Sequence, residues 1–176
     1  GKKWQIGLEE CKKFNPKAVL INGSDDIFSL NYIKNCFKYI ENGYDIVGKN
    51  NWYVLDLVKL KPYKFQYKNP NVLIGAGRMI SRSFLDEINW TLFPLTKSAG
   101  LDTFCNEIFE KNNASMYEMG NKNNDKIISL KGNHNVLNPI YKILKDKNKI
   151  NILTISTVDK RTIINLGKYI NNHNLK

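Results

Sequence analysis

The stretch Lys17-Ala-Val-Leu-Ile-Asn-Gly-Ser-Asp-Asp26 decides the predicted fold. Its four apolar residues, 18–21, predict a short buried strand, and the glycine after them predicts a turn. In open α/β sheets, ligands bind beyond the carboxyl ends of strands, where Asp25 and Asp26 would stand. Carboxylate oxygens are the ligands that hard divalent cations prefer, so the stretch predicts a metal site. A second interpretation stays open, in which this turn only caps a helix.

Helix and strand signals alternate on both sides of this stretch. Residues 3–14 carry apolar side chains at helical spacing, and Asn15-Pro16 ends that pattern. Ser29 predicts the cap of a second helix, which closes at Asn42-Gly43, and residues 44–48 predict another strand. This alternation predicts an α/β fold with a mixed, mostly parallel sheet flanked by helices.

The same signals continue to the end of the chain. The predicted elements are strand 52–58 with a hairpin around Pro62, strand 72–74, a helix opened by Ser81 or Ser83, a helix capped by Asp102 or Thr103, strands 115–119 and 126–131, a helix from Asn138-Pro139, strand 151–156 and helix 159–169. At 176 residues, the chain is expected to form a single domain, 1–176.

The composition restricts the partners and the compartment. The net charge is +11, but three Arg among 27 basic residues leave 24 Lys, whereas nucleic-acid readers favour Arg. Abundant Lys, Asn and Ile are typical of an A/T-rich genome, such as that of a large virus, a phage or a parasite. Nucleic acid is therefore not expected as the partner. No run of about 18 apolar residues occurs, so no membrane span is expected.

The three cysteines, Cys11, Cys36 and Cys105, lie far apart and form no CxxC pair. This spacing excludes a disulfide framework and a cysteine-based zinc site. A reducing compartment is the simplest interpretation, which means the cytoplasm, or the host cytoplasm for a viral protein.

A glycine loop at Gly75-Ala76-Gly77-Arg78 follows the predicted strand 72–74. It lacks the third glycine of a dinucleotide-binding fingerprint, because Ile80 stands there, so it fails as a Rossmann signature. Two glycines let a backbone approach a ligand closely, and Arg78 would supply a cation. The alternative is a tight turn with an exposed Arg.

Two further residues have both a possible functional role and a possible structural role. Asp102 follows Gly100-Leu101 at a predicted helix start, where it is either an N-cap or a general base for an acceptor hydroxyl. His134 lies in a Gly/Asn loop after a predicted strand, where it is either a third metal ligand beside Asp26 or a solvated loop histidine.

The order of these features resembles the central part of GT-A glycosyltransferases, particularly family-2-like ones. The resemblance covers roughly residues 2–110. It is carried by Lys2-Lys3-Trp4 with Gly7, residues 15–26, Ile74-Gly75-Ala76-Gly77 and Gly100-Leu101-Asp102. Those enzymes carry a DxD-type motif after a buried strand, and Ser24-Asp25-Asp26 looks like a variant of it.

The resemblance implies a Rossmann-like GT-A fold and a metal-dependent transferase that moves a sugar from a nucleotide-sugar donor to a carbohydrate or protein hydroxyl. It implies Mn²⁺ or Mg²⁺ as cofactor and inversion of the anomeric centre. The implied roles are Asp26, Asp25 and His134 at the metal, Ser24, Asp25, Gly75, Gly77 and Arg78 at the donor, and Asp102 as the base. The implied subdivision is 1–48 with the DxD motif, 49–135 with the acceptor-side and catalytic part, and a helical segment, 136–176.

One departure from the family concerns the start of the chain. GT-A domains usually begin with a nucleotide-binding β-α-β segment, which this sequence does not contain. We therefore expect an N-terminally truncated domain, or a donor site completed by another segment or chain. Two alternatives to sugar transfer remain, namely a related nucleotidyl-transferring enzyme and a non-catalytic basic module that binds an anionic polymer.

Overall fold

The computed structural model describes residues 1–97, 100–120, 125–132, 144–145 and 149–172. Within these ranges the chain forms a mixed α/β structure with two sheets and flanking helices. In chain order the elements are α1 Lys2–Lys12, β1 Ala18–Leu20, β2 Asp26–Phe28, α2 Leu30–Glu41, β3 Ile46–Gly48, β4 Asn51–Asp56, β5 Lys61–Tyr67, β6 Met79–Ser81, α3 Arg82–Glu87, α4 Leu101–Lys111, β7 Met116–Glu118, β8 Ile127–Lys131, β9 Ile150–Leu153 and α5 Thr157–Asn172.

The two sheets are mixed, and most of their pairs are antiparallel. The first sheet has the order β1-β6-β3-β7, and the second has the order β2-β8-β4-β5-β9. Among the described pairs, β3–β7 and β4–β8 are parallel and the others are antiparallel. The predicted α/β class is confirmed, but the prediction of a mostly parallel sheet is wrong. The reason is that β6 inserts between β1 and β3, and β4 returns directly as the hairpin strand β5.

Local signals position several helix ends as predicted. The Ser29 hydroxyl accepts a hydrogen bond from the Tyr32 amide at 3.1 Å and so caps α2. The Ser81 hydroxyl does the same for the Phe84 amide, also at 3.1 Å, and caps α3. Gly43, with φ of 93°, follows the end of α2, as its left-handed conformation favours glycine.

Three sequence predictions need correction or fall outside the described chain. Residues 72–74 are irregular, and the strand lies after the glycine loop, as β6. Residues 23–26 form the predicted turn, in which the Asp26 amide donates to the Gly23 carbonyl at 3.3 Å, and Asp26 also begins β2. Ser29, and not this turn, caps α2, so the helix-cap interpretation of residues 23–26 is wrong. The helix predicted from Asn138-Pro139 lies outside the described residues.

Alternating side chains of the strands divide the interior into layers. In β3, Ile46 packs toward one face of the first sheet and Val47 toward the other. One apolar cluster joins that sheet to α1, α3 and α4, and a second joins its opposite face to α2 and to the second sheet. A third cluster joins the second sheet to α5 through Ile163. Residues 21–25, which connect β1 to β2, therefore pass from one sheet to the other.

Candidate functional site

Asp26 lies at the start of β2, opposite Ser129 of the neighbouring strand β8. The Ser129 hydroxyl donates to Asp26 Oδ1 at 2.5 Å, and the Gly23 amide donates to Oδ2 at 3.1 Å. Burial raises the pKa of the Asp26 carboxyl; the Ser129 hydrogen bond opposes that shift, and the charge of Asp25 adds to it. The two hydrogen bonds therefore hold the Asp26 carboxylate in one orientation, while its burial disfavours the ionised form.

Asp25 pairs with a lysine from the end of β8. Lys131 Nζ lies 2.5 Å from Asp25 Oδ2, and the two side chains are 11% and 32% exposed. The Asp25 carbonyl also accepts from the Leu130 amide at 2.7 Å, which fixes the backbone of Asp25 beside the same strand. Ser24, the first residue of the predicted motif, is exposed.

Gly23 lets both carboxylates approach the backbone. A Cβ at this position would lie 2.4 Å from Asp26 Oδ2 and 3.0 Å from Asp25 Oδ1. Real Cβ contacts are longer than this, so any other residue at 23 would displace at least one carboxylate. The requirement for glycine at 23 thus comes from the two acids that follow it.

Asp102 lies in the first turn of α4, and Gly100, with φ of 69°, is the N-cap. The prediction that Asp102 or Thr103 caps this helix is therefore wrong. A carboxylate in the first turn is stabilised by the helix dipole. Tyr67 OH donates to Asp102 Oδ2 at 3.4 Å, and a Cβ on Gly75 would lie 2.2 Å from Asp102 Oδ1. Asp102 thus packs directly against the glycine loop.

Backbone hydrogen bonds bring the two glycine segments side by side. The Ile21 amide donates to the Arg78 carbonyl, and the Gly77 amide donates to the Ile21 carbonyl, both at 2.8 Å. Gly23 follows two residues after Ile21, and Gly75 precedes Gly77 by two residues. The structure therefore places the Asp25–Asp26 segment and the Gly75–Asp102 contact at the same end of β1.

Arg78 and Gly77 have structural contacts within the glycine loop. Arg78 is 2% exposed, its Nη2 donates to the Leu73 carbonyl at 2.5 Å, and its guanidinium lies 5.1 Å from the centre of the Phe109 ring. The alternative of an exposed Arg is wrong, and donor binding by Arg78 stays a prediction. Gly77, with φ of 75°, presents its carbonyl to the Tyr32 hydroxyl at 2.6 Å.

A metal ion would find two carboxylates here. Across the described ranges, no three His, Cys, Asp or Glu side chains form a metal-binding group. His134, the predicted third ligand, lies outside those ranges. Mg²⁺ is often held by one or two carboxylates, with water and substrate phosphates completing its ligands. Asp25 and Asp26, fixed by the close approach of Gly23, fit such a site.

Sequence reasoning missed Ser129, Lys131 and Tyr67. The first two contact the acidic pair from 103 and 106 residues away along the chain, and no local pattern announces such a pairing. The signal available was the predicted strand 126–131, in which apolar and polar side chains alternate over residues 128–131. Tyr67 reaches Asp102 from 35 residues away, again without a local signal.

Comparison of the chain with protein-family models, with curated proteins and with solved structures gives no match in any of the three. None of the helices in the described part of the chain has the length and apolar character that crossing a membrane requires.

Proposed function

We propose that the protein is a metal-dependent glycosyltransferase with a GT-A fold. It would move a sugar from a nucleotide-sugar donor to a carbohydrate or protein hydroxyl. One observation carries the proposal: the acidic pair and Asp102 are each held against a glycine, and hydrogen bonds between Ile21 and residues 77–78 join the two segments. Sugar transfer needs an anion-neutralising cation and a base, and the two carboxylate groups beyond the same end of β1 are the candidates for these two roles.

Asp25 and Asp26 would hold Mn²⁺ or Mg²⁺, with His134 as the proposed third ligand. When bound, the cation neutralises the charge that develops on the diphosphate leaving group. Ser129 keeps Asp26 Oδ1 in place, and each carboxylate oxygen has more than one lone-pair direction, so the hydrogen bonds to Asp26 would still allow that carboxylate to bind a metal. Ser24 and Gly75 would contact the donor through exposed or backbone atoms. Gly77 is buried, with its amide bonded to Ile21 and its carbonyl to Tyr32, so it supports the loop from the interior together with Arg78.

Asp102 is the proposed base. The acceptor oxygen attacks the anomeric carbon as the bond from that carbon to the diphosphate oxygen breaks, and the hydroxyl proton passes to the Asp102 carboxylate. Attack from the side opposite the leaving group inverts the anomeric centre. Tyr67 would orient the carboxylate through its bond to Oδ2.

We further propose that the protein works in the cytoplasm. A thermal-shift titration with UDP, GDP, CDP and TDP, each with and without Mn²⁺, tests the donor class. A ligand at 100 times its Kd adds about 2.7 kcal/mol to the free energy of unfolding, or several degrees in a domain of this size. The expected result is a Mn²⁺-dependent shift of the melting temperature with one of the four nucleotides.

Asp102→Asn tests the base. The variant should bind Mn²⁺ and nucleotide as the wild type does, while turnover falls about 10²–10⁴-fold, the contribution typical of general base catalysis. Turnover and nucleotide binding are measured on the same preparation. Unchanged turnover would remove Asp102 from the reaction.

Product analysis separates the alternatives. Sugar transfer releases a nucleoside phosphate, whereas a nucleotidyl-transferring enzyme with the same metal pair releases pyrophosphate. A basic module for an anionic polymer would instead show steeply salt-dependent binding to polyanions and no response to Mn²⁺. Either outcome would replace the proposed function.

A further inference from the structure

We propose that Lys131 takes the place of the divalent cation in the ligand-free protein and exchanges with it during donor binding. Its ammonium neutralises Asp25, leaves that carboxylate when the metal binds, and then contacts the donor diphosphate. This inference rests on the proposed function, because it assigns a role to Lys131 within the same site.

The geometry of β8 directs Lys131 to the acidic pair. Side chains two residues apart on a strand share one face, so Ser129 and Lys131 project on the same side of β8. Ser129 reaches Asp26, and Lys131 reaches Asp25 at 2.5 Å. At 11% exposure, the ammonium occupies a largely enclosed position that a metal bound to Asp25 would need.

The charges around the pair favour an exchange. Among the described contacts, Lys131 is bonded to Asp25, and the neighbouring carboxylate, Asp26, is bonded only to uncharged donors. A divalent cation bound beside Lys131 would meet a like charge at close range, so the lysine has to move away. Lysine has a flexible four-carbon stem, and the diphosphate that arrives with the metal offers its ammonium a new anionic partner.

A carboxylate near Lys131 on β4 offers a competing destination. Asp56 is the register partner of Lys131 in the parallel pair β4–β8. Its Oδ1 accepts hydrogen bonds from the amides of Val58 and Lys59 at 3.0 and 3.1 Å, which hold it within its own turn. The diphosphate is therefore the better acceptor for the released ammonium, and the two destinations are distinguished experimentally.

The first measurement is the affinity for Mn²⁺ without nucleotide. It is determined from the electron paramagnetic resonance signal of free Mn²⁺. Lys131→Met should bind Mn²⁺ about tenfold more tightly than the wild type, equivalent to about 1.4 kcal/mol. Lys126→Met is the matched control, because Lys126 also forms a partly buried pair with an aspartate, Asp159. Lys126 immediately precedes β8 and is five residues from Lys131, or about 16 Å at strand spacing, which is beyond the screening length of physiological salt. The Lys126→Met variant should therefore bind Mn²⁺ with the same affinity as the wild type.

The second measurement is the affinity for methylenediphosphonate, a diphosphate without a base, in saturating Mn²⁺. Lys131→Met should bind it about tenfold more weakly than the wild type, in the opposite direction to its effect on the metal. Circular dichroism melts of both variants show whether each is folded under the conditions of the titration.

Each outcome decides a separate point. Tighter Mn²⁺ and weaker diphosphate binding in Lys131→Met support the exchange. Unchanged or weaker Mn²⁺ binding in that variant, with a wild type that binds Mn²⁺, overturns the exchange and leaves the metal site intact. Tighter Mn²⁺ with unchanged diphosphate binding overturns the contact with the diphosphate. If neither the wild type nor Lys131→Met binds Mn²⁺, with or without nucleotide, the proposed function is wrong and this inference is wrong with it.

Discussion

Two lysine–aspartate pairs lie at opposite ends of β8, and they differ in the charge around them. Lys126 pairs with Asp159, which also accepts from the Tyr53 hydroxyl at 2.9 Å. Burial would raise the pKa of Asp159, but the hydrogen bonds from Lys126, Tyr53 and Ser156 outweigh it and hold the pKa below its ordinary value. The charges of Lys126 and Asp159 cancel each other, and the pair connects α5 to the second sheet.

The pair formed by Lys131 and Asp25 has a second carboxylate next to it. Asp26 has a raised pKa, because it is buried and adjoins Asp25. Both acids are partly buried, and carboxyl groups with a perturbed pKa are enriched at functional sites. The comparison teaches that the second carboxylate, and not the ion pair itself, separates a structural contact from a candidate site.

The largest expected effect comes from removing one acid at each end of β8. Asp26→Asn should abolish Mn²⁺ binding and metal-dependent transfer, because the amide replaces a metal-binding oxygen and a negative charge. Asp159→Asn should keep both while lowering the melting temperature by several degrees, through loss of charge-assisted hydrogen bonds worth about 1.5–3 kcal/mol. Mn²⁺ titration and thermal unfolding check both variants. Unchanged turnover in Asp26→Asn would remove that residue from the site.

Substitutions at the glycines should separate metal binding from catalysis. Gly75→Ala is expected to lower turnover about 10²-fold by displacing the Asp102 carboxylate, and to leave Mn²⁺ affinity unchanged. Gly23→Ala should weaken Mn²⁺ binding first, because its Cβ displaces Asp25 and Asp26. The control is Gly7→Ala in α1, where a Cβ contacts nothing within 4 Å, so only a stability gain of up to about 1 kcal/mol is expected. Equal effects on metal and turnover in both loop variants would contradict the separation.

The smallest expected effect is on the pH dependence of stability. Because the pKa of Asp159 is lowered from 3.8 in the folded protein, its ionised form contributes stability above that value. This contribution is lost as the pH falls through the folded pKa. The melting temperature of the wild type should therefore exceed that of Asp159→Asn near neutral pH, and the difference should shrink below about pH 4. A constant difference down to pH 3 would mean that the pair stabilises the fold without ionisation of Asp159.

Local signals predicted much of the secondary structure, and long-range pairing explains the rest. Ser29 and Ser81 cap their helices as the sequence indicates, because a cap depends on neighbours three residues away. The insertion of β6 between β1 and β3 has no such local cause, which is why the mostly parallel sheet was a wrong prediction. Strand order depends on which apolar faces meet, and a single sequence does not specify that.

The candidate site shows the same division. The acidic pair and Asp102 were recognisable as residue types next to glycines. Their surroundings were not recognisable, since Ser129 and Lys131 lie 103 and 106 residues further along the chain than the acids they contact. The sequence favours Asp102 as the helix cap because Gly100 has no side chain that could signal a cap. In the structure, Gly100 caps the helix through its left-handed backbone conformation.

The connection from β1 to β2 has a mechanical consequence. Residues 21–25 tie the first sheet, through the Ile21 amide bonded to Arg78, to the second sheet, through the Asp25 carbonyl bonded to the Leu130 amide. A ligand bound at residues 21–25 would hinder the movement of one sheet relative to the other. Hydrogen exchange at the Ile21 and Leu130 amides should therefore slow together upon ligand binding, although the two belong to different sheets.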